Sequence, residues 1–198
     1  MDKNKFLQQA LNMNGRELLT KFADASEVRH FKKGSLLIQA DDRQKYADMI
    51  VSGIFRGFFV DYQGKDITDG FFYRRGDIAM GCHGFNRLAL ISIEALTESE
   101  VLRIPVPEIS RLLEEYHELS MIYTNILMKA LDEHWKIKNA IYQYNAIDRY
   151  KWFIRTYPEL LHVVPNKHIA SFLNITPVTL SRIKAKIRDE ELSAGIDK

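Results

Sequence analysis

The sequence predicts an α+β protein of two domains, in which an antiparallel double-sheet β-roll is followed by a long helix and an all-α C-terminal domain. Residues 28–103 consist of short apolar or alternating runs separated by glycine and aspartate, a pattern typical of many short strands. Helical periodicity replaces that pattern from Pro107 onward. Residues 166–186 then have the pattern of two short helices joined by a tight turn. We therefore expect domains at 1–144 and 145–198.

Composition limits the class of protein. At 198 residues and 46% hydrophobic content, the chain can bury one or two ordinary cores. No apolar run approaches the roughly 20 residues of a membrane span, and the polar start resembles no signal peptide, so we expect a cytoplasmic protein without a membrane partner. Cys82 is the only cysteine, which excludes an internal disulfide and a cluster or structural zinc held by cysteines alone.

The N-terminal part combines two helical segments with the strands of the roll. Apolar residues at helical spacing predict one or two short helices within 4–24. Strands are predicted at 34–38, 49–51, 54–60, 67–73, 91–93 and 101–104, and a weak strand signal recurs at 162–164. Gln63 and Gly64 form a plausible hairpin turn between two of these strands.

A longer helix is predicted from about 120 to 144. Its apolar residues occupy more than one face, and include Met121, Ile122, Ile126, Leu127, Met128, Leu131, Trp135, Ile137, Ile141 and Tyr142. Such a helix must be covered twice, by its own domain and by a second copy of the chain. This favours a homodimer; the alternative is a helix buried within a single chain.

The C-terminal domain begins with a helix-start signal, since Asn145 can cap a helix that has Asp148 three positions later. Farther on, Ile169, Phe172 and Leu173 give the first helix of the pair an apolar stripe. The second helix is expected to begin sharply, because Thr176 can cap it and Pro177 suits its first position.

The outward face of that second helix is small, polar and basic, and it comprises Val178, Thr179, Ser181, Arg182 and Lys186. A face of this kind suits the floor of a DNA major groove. Residues 145–188 contain eight basic and two acidic side chains, in a chain whose total charge is only +2. The positive charge is thus concentrated where a phosphate backbone would lie. The alternative is a helical hairpin that only closes a core.

The order of these elements resembles the cAMP receptor protein/FNR (Crp/Fnr) family of bacterial transcription regulators along almost the whole chain. The residues that carry the resemblance are the glycines 34, 53, 64 and 76 with Asp77, the segment 100–104 and, above all, 169–183. The resemblance implies a cyclic-nucleotide-binding-like sensor domain and a homodimer joined through the long helix. It also implies double-stranded DNA with a palindromic operator as partner, its half-sites about 34 Å apart.

The family's roles carry over to individual positions of this chain only where the residues match. By resemblance, Arg182 is the base-contacting arginine and can grip a guanine edge. Asn166, Lys167, Thr176 and Thr179 fall where the family contacts phosphate. Pro177 and Val178 replace charged base-contacting residues, so the target sequence should differ, with Val178 suited to a thymine methyl group. The C-terminal wing hairpin is expected to be reduced or absent.

The sensor end departs from the cyclic-nucleotide pattern. Met80 and Gly81 stand where binders of this family have a Gly-Glu pair, and Ala89 and Leu90 stand where they have Arg-Ser or Arg-Thr. A cyclic phosphate would meet no cation there. We therefore expect an unknown effector or none, with a candidate pocket formed by Met80, Gly81, Cys82, Arg87 and Leu90, where Arg87 is the possible substitute cation.

Other kinds of site have little support. A haem site at Cys82, His83 or His30 and a thiol site within 81–85 both lack a supporting set of residues, and no metal, cofactor or catalytic residue is assigned. The sequence thus predicts a dimeric, sequence-specific DNA-binding transcription regulator rather than an enzyme. The alternative is a small-molecule or cyclic-nucleotide-binding module whose helical C-terminus mediates assembly.

Overall fold

Eight strands in two sheets form the N-terminal part of the chain in a computed structural model. They are β1 (Glu27–Phe31), β2 (Leu36–Ile38), β3 (Tyr46–Ser52), β4 (Phe55–Val60), β5 (Asp66–Phe72), β6 (Ile78–Ala79), β7 (Ser92–Ala95) and β8 (Ser99–Pro105). The strand orders are β1-β8-β3-β6 and β2-β7-β4-β5, both antiparallel. The structure describes residues 1–82, 84 and 87–193, with side chains described up to 190.

Helices flank the strands at both ends of the chain. They are α1 (Lys3–Leu11), α2 (Arg16–Asp24), α3 (Val106–Glu115), α4 (His117–Gln143), α5 (Ala146–Thr156), α6 (Asn166–Phe172) and α7 (Pro177–Ser193), with a short 3-10 helix at Pro158–Leu160. Within the described part of the chain, no helix has the length and apolar character needed to cross a lipid bilayer.

The chain divides into two compact units. The first comprises Met1–Val60 and Asp69–Lys129, and the second comprises Asp61–Thr68 and Ala130–Lys198. The break between α4 and α5 lies at residues 144–145, where the Asn145 side chain accepts hydrogen bonds from the N–H groups of Ile147 at 3.0 Å and Asp148 at 3.1 Å. Asn145 thus caps α5 as the sequence predicts.

The first unit has two apolar clusters. One joins α1, α2, α3 and the start of α4 to one face of the β1-β8-β3-β6 sheet, with Phe6, Leu18, Met49 and Leu102 among its buried members. The other contains residues from both sheets, including Ile50, Phe55, Ile93 and Val101. Alternation along β3 explains the two clusters, because Met49 and Ile50 point to opposite faces of the strand.

The second unit buries aromatic residues of α5 against α6. Phe153 and Phe172 meet edge to face with ring centroids 5.8 Å apart, and Tyr157 packs on both rings. Leu180 and Ile183 of α7 are also buried in this unit. The apolar stripes predicted for 169–173 and for the inner side of α7 therefore form its core.

The predicted fold class is confirmed, with four differences in detail. Strand β1 was not predicted, because its only apolar residues, Val28 and Phe31, are three positions apart and do not alternate. Strand β6 was not predicted either; with only two residues, it is too short to produce a periodic pattern. The strand signal at 162–164 was wrong, because this segment follows the 3-10 helix as a turn with Val163 exposed. Helix α7 extends to Ser193, beyond the segment 166–186 in which the two helices were predicted.

Candidate nucleic-acid interface

A tight turn at residues 173–176 joins α6 to α7. Asn174 adopts the left-handed conformation, with φ of 51°, which asparagine tolerates better than most residues. The N–H of Ile175 donates to the carbonyl of Ala170 at 3.0 Å, closing the end of α6. Ala170 is completely buried, consistent with its predicted place at a close approach of the two helices.

Helix α7 begins at a side-chain cap. The hydroxyl of Thr176 accepts the N–H of Thr179 at 3.0 Å and lies 2.8 Å from the Thr179 hydroxyl. Pro177 takes the first helical position, where its missing N–H leaves no unpaired donor. The bond between the two hydroxyls uses one of their two hydrogens, so the other hydrogen of this threonine pair is the one that can donate to a phosphate oxygen.

The two sides of α7 differ in exposure as predicted. Leu180 is completely buried and Ile183 is nearly so. On the other side Val178 is 61% exposed, and Ser181, Arg182 and Lys186 are exposed as well, while Thr179 is half-buried. One turn of α7 thus presents an apolar methyl pair, a hydroxyl and a guanidinium together.

Arg182 differs from the other cations of α7 in its surroundings. Lys186 lies 3.9 Å from a Glu190 carboxylate oxygen, and Arg188 lies 3.9 Å from Asp189. Among the residues whose side chains are described, none forms a hydrogen bond or ion pair with Arg182. Its five N–H donors are therefore available to a partner outside the chain.

The predicted phosphate-contacting residues of α6 lie in its first turn. Asn166 and Lys167 are both exposed there. The Nζ atom of Lys184 donates to Asn166 Oδ1 at 2.6 Å, which ties the start of α6 to the middle of α7. Asn166 keeps its amide donors for an external acceptor, whereas its carbonyl oxygen already has a partner.

Helix α4 has an exposed apolar stripe. Met121, Met128, Trp135 and Tyr142 recur at intervals of seven residues, with Leu131 between them. All five are exposed, from 48% for Leu131 to 79% for Tyr142. A seven-residue apolar repeat is the pattern by which two helices pair along their length.

The five predicted effector-pocket residues lie in different environments. Gly81 and Cys82 are buried, Met80 is half-buried, and Arg87 and Leu90 are exposed. The N–H of Gly81 donates to Gln44 Oε1 at 2.8 Å, and a Cβ atom at Gly81 would lie only 2.6 Å from the Cβ of Ala89. Glycine is therefore required at 81 by packing.

The possible haem and thiol residues do not form a described cluster. The Cys82 thiol donates to the carbonyl of Gly84 at 3.2 Å, His30 is exposed on β1, and His83 lies outside the described residues. Within the residues described, no group of three or more His, Cys, Asp or Glu side chains could hold a metal ion.

Three interactions near these sites were not predicted from the sequence. Burial raises the pKa of Tyr123 on α4, and the nearby Cys82 thiol raises it further. Arg149 donates to the carbonyl of Leu173 at 2.8 Å, and Ser171 bonds to the backbone at 66 and 68. Each joins residues distant in sequence, so no local pattern indicates it.

Comparison with known proteins agrees with this architecture. Residues 28–116 match the model of the cyclic nucleotide-binding domain family. FixK2 from Bradyrhizobium japonicum superposes with a TM-score of 0.74 at 15% identity, over 83% of this chain and 85% of FixK2. No curated protein sequence matches the chain.

Two further solved structures have similar folds. A protein from Eubacterium rectale, described as a transcriptional regulator of the Crp/Fnr family, gives a TM-score of 0.75 at 15% identity, over 95% of this chain and 89% of its own. CLP, a c-di-GMP responsive global regulator of Xanthomonas campestris, gives 0.72 at 14%, over 90% and 94%. Residues 28–116 are thus similar to the cyclic nucleotide-binding domain family, within a chain that has the fold of these Crp/Fnr-type regulators.

Proposed function

We propose that this protein is a dimeric, sequence-specific DNA-binding transcription regulator of the Crp/Fnr type, and not an enzyme. The observation that carries the proposal is the outward side of α7, where the exposed guanidinium of Arg182, unpaired among the described side chains, lies beside exposed Val178 and Ser181. Because α7 is capped at its start, it holds these side chains in a fixed spatial arrangement, and recognition of base edges requires such an arrangement.

In the proposed complex, α7 enters the major groove and α6 lies against the backbone. Arg182 donates two hydrogen bonds to a guanine edge, and Val178 packs on a thymine methyl group. Lys167, Lys186, Asn166 and the threonine pair at 176 and 179 contact phosphate oxygens or the groove edge. Ser181 lies between the two base-contacting residues, where its hydroxyl can bond to either kind of base edge.

A second copy of the chain is the proposed cover for the stripe on α4. A homodimer places two α7 helices on DNA, so the operator should be palindromic with half-sites about 34 Å apart. The seven-residue repeat supports this assembly, since a monomer would leave Trp135 and Tyr142 in water.

The roll domain is proposed to be a sensor whose effector is not a cyclic nucleotide. A cyclic phosphate needs a cation, and Arg87, the nearest candidate in sequence, is exposed. An effector would act by favouring one arrangement of the paired α4 helices over another. We propose a cytoplasmic protein with no resident cofactor.

Selection of bound fragments from random duplex DNA with the purified protein tests the proposal. We expect a two-fold symmetric sequence with guanine and thymine at fixed positions in each half. If the protein retained DNA without any sequence preference, or retained no DNA even at low salt, the proposal would be contradicted.

The match to the cyclic nucleotide-binding family favours one second candidate, a small-molecule-binding module whose C-terminal helices only mediate assembly. Calorimetry with cAMP and cGMP separates the two. The regulator hypothesis expects DNA binding and no heat from either nucleotide, whereas the module expects the reverse.

A further inference from the structure

Ser171 on α6 binds the backbone of a short segment far away in sequence. Its hydroxyl donates to the carbonyl of Asp66 at 3.1 Å and accepts the N–H of Thr68 at 2.9 Å. All three residues belong to the second compact unit, which includes Asp61–Thr68. Thr68 is only 4% exposed, so the segment is packed and not merely touched at one atom.

The bonded backbone groups are those of a sheet edge. Strand β5 is the last in the order β2-β7-β4-β5, and residues 66 and 68 have the same parity along it. Outward C=O and N–H groups two residues apart are the pair that one residue of a parallel neighbouring strand would bind. The single hydroxyl of Ser171 takes the place of such a residue at this edge.

The segment held by Ser171 begins at a well-ordered turn. Asp61 Oδ1 accepts the N–H groups of Gln63 at 2.9 Å and Lys65 at 3.0 Å, and Gly64 takes a φ of 80° that glycine adopts without strain. The chain enters this turn from Val60 and leaves through Asp69, both of which belong to the first unit. The turn therefore fixes the start of the segment that Ser171 binds.

Ser171 is also close in sequence to the start of α7. It lies near the end of α6, three residues before Asn174, and Asn174 belongs to the turn that leads to α7. Arg149 binds the carbonyl of Leu173 in the same turn. A change in where α6 is held thus changes where α7 is held.

We infer that Ser171 is a positioning residue that ties α6 to the backbone of residues 66–68, so that this contact helps to hold α6 and α7 in the orientation that their partner binds. The inference rests on the proposed DNA-binding function. Without the tie, α6 loses one of the contacts that fix its orientation, and part of that positioning must occur during binding, which weakens the complex.

Amide hydrogen exchange at Thr68 in the full-length protein tests the contact directly. We expect exchange to be roughly tenfold faster in Ser171→Ala, because the N–H loses its acceptor. Ser171→Thr keeps a hydroxyl and should stay near wild type, as should Ser52→Ala, which removes an exposed hydroxyl elsewhere. Unchanged exchange in Ser171→Ala would overturn the inference.

Binding to the operator found by selection tests the consequence. Ser171→Ala should bind the operator about fivefold more weakly, because the free energy of one ordinary hydrogen bond no longer helps to hold α6 in place before binding. Ser171→Thr should bind as the wild type does. Equal or tighter binding by Ser171→Ala would contradict the positioning role.

A measurement on the wild-type protein covers the case in which the alanine variant does not fold. Linkage is reciprocal, so DNA should slow exchange at Thr68 if the tie favours binding. DNA that binds without this effect overturns the inference alone. A protein that binds no DNA contradicts the proposed function. The exchange experiment with Ser171→Ala needs no DNA, so it still tests the contact between Ser171 and Thr68.

Discussion

Arg149 donates a hydrogen bond from Nη1 to the backbone carbonyl of Leu173 at 2.8 Å. The same nitrogen lies 3.4 Å from the carbonyl of Asn174. The bond joins α5 to the end of α6, where carbonyl groups lack helical partners and where a positive charge is favoured. Arg149 therefore stabilises the turn that sets the direction of α7.

Replacing Arg149 with methionine should lower the free energy of unfolding by about 1–3 kcal/mol, because the carbonyl of Leu173 loses a charged donor. Chemical denaturation of the purified protein measures the change. Lys151→Ala on the same helix is the control, since Lys151 is exposed, and should change stability by less than about 0.5 kcal/mol. Equal stability of the two variants would refute the role given to Arg149.

The roll contains a buried ion pair that gives a second prediction. Arg103 donates to both carboxylate oxygens of Asp48, at 2.7 and 2.9 Å, from the neighbouring strand. Burial raises the pKa of Asp48, and the guanidinium acts against that rise. Arg103→Met should destabilise the protein by about 3–5 kcal/mol at pH 7, because it leaves a buried carboxylate without a partner.

The deficit of Arg103→Met should shrink as the pH is lowered. A carboxyl group whose folded-state pKa is raised takes up its proton in the folded protein first, so its cost is present above that pKa and absent below the unfolded value of about 3.9. Denaturation at several pH values checks this. The double variant Asp48→Leu/Arg103→Met should be more stable than Arg103→Met at pH 7; a less stable double variant would contradict the ion-pair explanation.

The stripe on α4 predicts a change of assembly. Trp135→Glu places a charge at the centre of the seven-residue repeat and should convert a dimer to a monomer in sedimentation experiments. Lys129→Glu introduces the same side chain at an exposed position outside the repeat and should leave the dimer intact. A wild-type protein that sediments as a monomer would rule out the proposed dimer.

Val178 predicts a dependence on a single methyl group of the DNA. Replacing the contacted thymine with uracil should weaken wild-type binding by about 0.8 kcal/mol, the value of one buried methylene-sized group. Val178→Ala should bind the thymine and uracil operators with nearly equal affinity. A uracil effect that is the same in both proteins would show that another residue contacts the methyl group.

Local patterns predicted most of the architecture, because each element is defined by its own residues. The Asn145 cap, the Thr176 cap and the buried side of α7 at Leu180 and Ile183 all follow from spacing within one turn or one helix. Strand β1 was missed because its two apolar residues do not alternate, and β6 was missed because two residues show no period. The prediction at 162–164 was wrong because valines favour strands even where a turn is formed.

Contacts between distant residues escaped prediction for a different reason. The bonds from Ser171 to residues 66 and 68 and from Arg149 to Leu173 connect elements whose packing is decided by the whole core. The sequence could place Arg182 on the outer side of α7, since helical spacing fixes its direction. It could not indicate that Glu190 lies near Lys186 and Asp189 near Arg188, while none of the side chains described up to residue 190 pairs with Arg182.

The most direct test of the account is the binding of Arg182→Ala to operators in which each base pair is changed in turn. The account predicts that the variant loses about 1–3 kcal/mol of discrimination at one guanine position in each half-site and keeps its preferences elsewhere, whereas Arg111→Ala, on α3, keeps them all. A variant that discriminates at every position as the wild type does would contradict the claim that the outer side of α7 contacts the bases.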